Sequence, residues 1–497
     1  MGPNRGLLLL LLVLFAGILA TCGSLPADPT GGVPPPEATA PPPTPTAPPT
    51  PTATPTPEPV SPFPEYHLTL TLDAAQRRLA GTGQVEVPNH TGVDLHEIVF
   101  RLYPNLPQYG GRMLVGPVRV DGQRAASSLR ANDTSLAIPL ERPLAPETSV
   151  TVELTFDVEI PDRESGYVLF GHSQGMWSVP DAYPLLAVHD GSVWHEEIAP
   201  AHSDAVFADA ALYDVTLTLP PTLTLATTGS VMSDQMTADA QRTYRLVGGP
   251  WREFAWLASA DFQVLETGAY GTALRSYYLP GDEAAGQAAL NIAAAALRAY
   301  GDAFGLYPFK EMAVVEAPLL YYGMEFPALN LIGQDLYRGQ RAELEDRVVH
   351  EVAHQWWYAQ VGNDQINSPW LDEGLAEYSM AVYYDQVFGE AQANTLVNQR
   401  WLVAYQVAVE NGYDAVVNQP SSAFSWDYEV IVYAKAALFF NALRQELGDE
   451  TFKAVLQAYL EQYRWKIATP DDFMQVAESV SGRDLDDLYN RWILSKQ

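Results

Sequence analysis

The chain has 497 residues, and its 60 acidic against 28 basic side chains give it a formal charge of -32 at neutral pH. This length is enough for two or three domains, each with its own hydrophobic core. Proteins that bind nucleic acid neutralise phosphates with lysine and arginine, so the acidic balance argues against nucleic-acid partners. Because Cys22 is the one cysteine, a disulfide framework is excluded.

The first 22 residues have the pattern of an export signal. Arg5 provides a positive start, residues 7–19 form an apolar run, and Cys22 follows where a signal peptidase would cut. The segment resembles a bacterial lipoprotein signal, in which the cysteine is lipidated and becomes the first mature residue, although Thr21 stands where Gly or Ala is usual. We therefore expect an exported protein, anchored to the membrane through Cys22 and facing outward or into the periplasm. An ordinary cleaved signal and a retained anchor are the alternatives.

Residues 23–63 are rich in proline and threonine, with runs such as PPPTPTAPP at residues 41–49. Proline cannot join a β-ladder and favours extended backbone, so the composition predicts a semi-rigid linker. A linker directly after a membrane anchor would hold a folded body away from the lipid surface.

Short segments that alternate apolar and polar residues dominate residues 64–268. Examples are HLTLTL at residues 67–72, SVTVEL at residues 149–154 and YDVTLTL at residues 213–219. A period of two predicts antiparallel strands, so we expect a β-rich N-terminal domain built as a sandwich or a saddle.

The pattern becomes helical near Gly281. Residues 283–304 are rich in alanine and repeat apolar side chains every three or four positions, and similar patterns continue to residue 497. A short strand-like segment at residues 312–316 precedes YYGME at residues 321–325, where a carboxyl group at a strand edge can meet an incoming peptide. Residues 269–497 are therefore predicted to form a mainly helical domain, and the fold class is α+β.

The string HEVAH at residues 350–354 lies within a predicted helix of residues 343–360, before Gly362 as a C-terminal stop. Helical residues four apart project from one face, so His350 and His354 can reach a single tetrahedral zinc ion. Glu351 would then lie beside the open position of the metal.

A third metal ligand is predicted on the next helix, which begins near Pro369. Glu373 follows His354 by nineteen residues, a gap that an antiparallel helical return requires. A His, His, Glu set leaves the fourth zinc position for water, which is typical of catalytic sites, whereas structural zinc sites more often use four protein ligands that include cysteine.

These residues resemble the gluzincin zinc aminopeptidases related to aminopeptidase N and leukotriene hydrolase. The resemblance spans residues 66–497 and rests on GME at residues 323–325, HEVAHQWW at 350–357, WLDE at 370–373 and YAKAA at 433–437. It implies a thermolysin-like catalytic domain over residues 269–497 and one zinc ion as cofactor. Family members often continue into a long helical solenoid; 35 residues follow Gln462, so we expect no solenoid and a more open cleft.

The resemblance also implies roles for the residues of the centre. His350, His354 and Glu373 would bind zinc, and Glu351 would be the general base that activates water and later returns the proton. Tyr433 falls where family members place a tyrosine whose hydroxyl stabilises the oxyanion.

Substrate binding is implied for Gly323, Met324 and Glu325. Glu325 corresponds to the glutamate that binds the free α-amino group of the substrate and so restricts cleavage to the first peptide bond. Phe326 and Pro327 depart from the family, whose usual run after this glutamate begins with Asn.

The sequence therefore predicts a zinc-dependent aminopeptidase that acts on peptide substrates. An endopeptidase or an epoxide hydrolase on the same zinc site, or a surface binding protein that keeps the fold without catalysis, are the alternatives. Glu377, one turn after Glu373, is either a solvated helix residue or a hydrogen-bond partner of a ligand histidine.

Overall fold

The computed structural model describes residues 60–339 and 341–496. The signal predicted for residues 1–22, with its Cys22, and nearly all of the linker predicted for residues 23–63 lie outside the described residues. Among the described helices, none has the length and the apolarity that crossing a membrane requires.

The N-terminal part is built from strands. They are β1 (Glu65–Asp73), β2 (Arg78–Pro88), β3 (Leu95–Arg101), β4 (Arg112–Val120), β5 (Gln123–Ala125), β6 (Ser128–Arg130), β7 (Ser135–Leu144), β8 (Ser149–Glu159), β9 (Gly171–Ser173), β10 (Met176–Ser178), β11 (Leu185–Leu186), β12 (Ala211–Leu219), β13 (Thr224–Thr227), β14 (Ser230–Met236), β15 (Arg242–Trp251) and β16 (Trp256–Ser259).

The C-terminal part begins with strands and continues mainly with helices. Its elements are β17 (Gln263–Ala269), β18 (Thr272–Tyr278), α1 (Glu283–Ala303), β19 (Glu311–Ala317), β20 (Gly323–Phe326), β21 (Leu329–Gly333), α2 (Gln334–Tyr337), α3 (Arg341–Ala353), α4 (Trp370–Phe388), α5 (Glu390–Leu396), α6 (Val403–Glu410), α7 (Ala436–Leu447), α8 (Asp449–Tyr463), α9 (Pro470–Ser481) and α10 (Asp486–Trp492), with π-helical segments at Val397–Leu402 and Glu429–Lys435.

The N-terminal strands form a sandwich, as the alternating pattern predicts. One sheet has the order β14-β15-β12-β1-β2-β8-β4-β5, and two smaller sheets have the orders β13-β16-β10-β9 and β11-β3-β7-β6. In β1 the side chains of Leu68, Leu70 and Leu72 are buried while the residues between them are exposed. The buried face packs against residues of the smaller sheets, such as Phe100 and Trp177, in one hydrophobic core.

One strand pair differs from the predicted antiparallel arrangement. β1 and β12 run parallel, with Leu68 opposite Val215 and Leu70 opposite Leu217. A parallel pair needs a long crossover, and the chain builds several strands of both sheet layers between β1 and β12. Such a crossover leaves no local sequence signal, because both strands keep the same alternation.

A central sheet joins the two parts of the molecule. Its order is β17-β18-β19-β21-β20, so β20 lies at one edge. In β19, Val315 packs into the core of the sandwich whereas Met312 and Val314 pack into the core of the helices. A strand that is buried on both faces has a continuous apolar run. The domain boundary predicted between residues 268 and 269 falls within β17. The division of the chain into domains at this position stays a prediction.

A buried arginine ties three segments of the chain together. Arg252 is 1% exposed and donates to the backbone oxygens of Tyr358 at 2.6 Å, Ala208 at 3.1 Å and Lys466 at 2.7 Å. A Cβ atom at Gly362 would collide with its guanidinium group. The segment that follows the HEVAH string is thus fastened to the sandwich.

Replacing Arg252 with methionine should destabilise the protein by at least about 3 kcal/mol, because hydrogen bonds to a charged group are each worth about 1.5–3 kcal/mol and the three carbonyls would stay buried. The midpoint of urea unfolding measures the change. Arg245→Met is the matched control, since its ion pair with Asp214 is exposed and exposed pairs contribute little to stability. Equal shifts for both variants would contradict this role of Arg252.

Candidate metal centre

Three donor atoms from α3, the residue after it and α4 converge in the interior. His350 Nε2 lies 3.1 Å from Glu373 Oε2 and 3.2 Å from His354 Nε2, and His354 Nε2 lies 3.3 Å from Glu373 Oε2. All three side chains are buried. The structure therefore brings together the three ligands predicted from sequence.

The donor triangle fits zinc. A tetrahedral ion with bonds of 2.0–2.1 Å places its ligands about 3.3–3.4 Å apart, close to the three distances in the structure. Two imidazole nitrogens and one carboxylate oxygen are a typical donor set for this ion. The triangle thus has the chemistry and the size of a zinc site with one position left for water.

The helix that carries HEVAH is shorter than predicted. α3 ends at Ala353 rather than near residue 360. Its hydrogen bonds change from four-residue to three-residue spacing, since Gln355 N donates to Val352 O and Trp356 N to Ala353 O. His354 Nδ1 donates to Trp357 O at 2.9 Å. This tight turn fixes the imidazole so that Nε2 faces the metal site.

The other histidine is oriented by Glu377. His350 Nδ1 donates to Glu377 Oε2 at 3.1 Å, and the other carboxylate oxygen accepts from Arg400 Nε at 2.6 Å and Trp401 Nε1 at 2.7 Å. Burial alone would raise the pKa of Glu377, but Arg400 and His350 hold it well below its usual range. Of the two roles considered for Glu377, the structure shows the hydrogen-bond partner.

Glu351 occupies the position beside the metal site. It is 3% exposed, its Oε1 lies 3.5 Å from Arg347 Nη1, and its carboxylate lies within 4.8 Å of donor atoms of His354 and Glu325. A Cβ atom at Gly323 would collide with the carboxylate. The glycine of the GME motif therefore makes room for Glu351.

Glu325 lies on the edge strand β20 and faces the same space. It is 5% exposed, and Gln365 Nε2 lies 3.4 Å from its Oε1. Burial raises the pKa of Glu325 to about 8, with His354 opposing the rise and Glu351 adding to it. Met324, the remaining residue of the motif, is half-buried and packs against the sandwich core.

Tyr433 also lies at the centre. It belongs to the π-helical segment Glu429–Lys435, a backbone form that occurs often at functional sites. Its hydroxyl donates to Glu373 Oε1 at 2.6 Å, and its ring lies 5.8 Å from that of His350. The tyrosine is thus next to the metal ligands.

The sandwich adds residues that the sequence analysis missed. Asp204, in the segment before β12, lies near Glu373 and Glu325, and burial followed by the charge of Glu325 raises its pKa well above the usual range. The ring of Tyr167 packs edge-on against Tyr322 at 5.9 Å. Neither Asp204 nor Tyr167 lies in a motif, so proximity in the fold is the signal that identifies them.

Comparison with known proteins agrees with this geometry. Residues 288–492 match the Peptidase family M1 domain. The alanine/arginine aminopeptidase of Saccharomyces cerevisiae is 28% identical over 249 residues, which are 47% of this chain and 29% of that protein. The probable aminopeptidase 2 of Sulfurisphaera tokodaii is 25% identical over 228 residues, 43% of this chain and 29% of that protein. The chain spans less than a third of the length of these relatives.

Solved structures share the fold over most of the chain. An M1 zinc metallopeptidase from Deinococcus radiodurans has a TM-score of 0.65 and 17% identity, covering 88% of this chain and 94% of that chain. A mutant of it bound to the substrate Tyr-Ser-Ala has a TM-score of 0.64 and 17% identity, covering 88% and 96%. The predicted α+β fold, with its N-terminal β domain and thermolysin-like helical domain, is confirmed.

Replacing Glu377 with glutamine should lower zinc affinity by about 10- to 100-fold, because partners that orient a ligand histidine typically contribute that much. Competition with a chromophoric chelator measures the affinity. Glu390→Gln, at an exposed position at the start of α5, is the control and should bind zinc as the unmodified protein does. Unchanged affinity in Glu377→Gln would show that Glu377 does not support the site.

Proposed function

We propose that the protein is a zinc-dependent aminopeptidase that hydrolyses the first peptide bond of peptide substrates, since residues 288–492 match the Peptidase family M1 domain. The observation that carries the proposal is the position of two further carboxylates, Glu351 and Glu325, beside the donor triangle of His350, His354 and Glu373. The aminopeptidase names of the relatives support it.

The residues of the centre have distinct tasks in this reaction. Zinc held by His350, His354 and Glu373 would supply a Lewis acid that polarises the scissile carbonyl and acidifies a water molecule. Glu351 takes a proton from the attacking water and returns it to the leaving amine. Tyr433 has its hydroxyl at the centre, where it can donate to the oxyanion of the tetrahedral intermediate.

Glu325 and its strand define which bond is cut. The substrate ammonium group would pair with the Glu325 carboxylate, a charge-assisted contact of the strong kind. Among the described residues β20 pairs with β21 alone, so its other edge is open to an extended peptide that adds as a strand. Gly323 and Met324 would supply backbone groups to that peptide.

A panel of fluorogenic aminoacyl amides and N-blocked peptides tests the choice of bond. We expect hydrolysis of the aminoacyl amides and loss of activity when a chelator removes zinc. Cleavage of blocked peptides alone would identify an endopeptidase instead. Zinc binding without chelator-sensitive hydrolysis of any peptide would identify a binding protein or an enzyme of other chemistry.

Glu351→Gln should retain zinc and lower turnover of the aminoacyl amides by at least about a hundredfold, since positioned general bases contribute about 100- to 10,000-fold. Zinc content and kcat are measured on the same preparation. A near-normal rate in this variant would rule out Glu351 as the base.

We also propose that the protein is exported and anchored by a lipid on Cys22, with residues 23–63 as the linker. The pattern of residues 1–22 supports this. Expression in a bacterium that processes lipoproteins should place the full chain in the membrane fraction and Cys22→Ala outside it. The same distribution for both chains would contradict the anchor.

A further inference from the structure

The side chain of Gln355 joins the metal-binding turn to the substrate-binding strand. Gln355 is fully buried. Its Oε1 accepts from Ala328 N at 2.8 Å, and its Nε2 donates to Phe326 O at 3.1 Å and to Asn330 Oδ1 at 3.0 Å. One amide group thus satisfies a backbone atom at the end of β20 and another within the turn that connects β20 to β21.

That turn has a backbone conformation that its sequence does not favour. Pro327 and Ala328 alone connect β20 to β21, and Ala328 has a φ of +61°. Residues with a Cβ atom rarely adopt this left-handed conformation, which glycine and asparagine tolerate better. The turn therefore depends on partners outside itself, and Gln355 provides two of its hydrogen bonds.

The same residue is linked directly to the metal site. Gln355 follows the ligand His354, and its own backbone oxygen accepts from Gln360 Nε2 at 2.9 Å. Phe326, whose backbone oxygen accepts from the Gln355 side chain, directly follows Glu325 in the sequence. A short path therefore runs from the metal ligand to the carboxylate proposed to bind the substrate ammonium group, through the Gln355 side chain and its buried hydrogen bond to Phe326 O.

We propose that Gln355 is a positioning residue that sets the distance between the metal centre and the Glu325 carboxylate, and so makes the site selective for peptides with a free amino end. The proposal rests on the function proposed above. Gln355 does not itself reach the substrate; it acts through the backbone of β20 and its turn.

Gln355→Met tests the role, because methionine has a similar length and volume but neither donates nor accepts as an amide does. The probes are two hydroxamate zinc ligands, one derived from an amino acid with a free α-amino group and its counterpart without that group. Calorimetry on the zinc-loaded protein gives both affinities without turnover. Glu325→Gln gives the ratio of the two probe affinities for a site without this carboxylate.

Ser379→Ala is the control for the loss of a buried hydrogen bond, since Ser379 Oγ accepts from Trp357 Nε1 at 2.9 Å, donates to Leu375 O and forms no hydrogen bond with the β20–β21 turn in the described structure. Thermal unfolding and zinc content are measured for every variant. Ser379→Ala should lower stability and leave the affinity ratio of the two probes unchanged.

We expect Gln355→Met to reduce the preference for the free-amine probe by at least about tenfold, since a misplacement of about 1 Å costs up to about a hundredfold. The probe without the amino group should bind nearly as before. In the Glu325→Gln background, the further change Gln355→Met should alter the affinity ratio of the two probes little. A folded, zinc-loaded Gln355→Met protein that keeps the full preference overturns this role of Gln355 alone. Equal binding of both probes by the unmodified protein overturns the aminopeptidase proposal and this inference with it.

Discussion

Buried carboxylates are concentrated around two histidines, and their charge determines which partners the surrounding structure must supply. Glu325, Glu351, Asp372, Glu373 and Glu377 are each 2–5% exposed. Burying a charge is costly unless it is paired or coordinates a metal. Arg400 neutralises Glu377, and hydrogen bonds from Asn363 and Gln365 satisfy Asp372. A divalent cation between His350, His354 and Glu373 is the partner that the remaining charges require.

Several groups of the centre lie where regular secondary structure ends or becomes irregular. The metal-binding turn begins where α3 stops, the Glu325 carboxylate lies on a short edge strand, and Tyr433 lies in a π-helical segment. The first two of these backbone forms are secured by a buried polar side chain from elsewhere. Arg252 and Gln355 do this for the turn after His354 and for the β20–β21 connection.

Local patterns in the sequence predicted the fold class, the alternating strands and the three metal ligands, because period-two strands and an HExxH helix depend on residues close in the chain. α1 was expected at residues 283–304 and is observed at Glu283–Ala303. The early end of α3, the parallel pairing of β1 and the approach of Asp204 depend on contacts between distant segments. The pairing of Arg400 with Glu377 could not be predicted from the sequence either, since an arginine in a helix is ordinarily a solvated residue.

Zinc-edge anomalous diffraction from crystals of the purified protein would show where zinc binds. We expect a single strong peak about 2 Å from His350 Nε2, His354 Nε2 and Glu373 Oε2. The carboxylates of Glu325 and Glu351 form a second donor group with His354. A peak at that second group, or protein that contains no zinc and binds none when it is supplied, would show that His350, His354 and Glu373 do not hold a zinc ion.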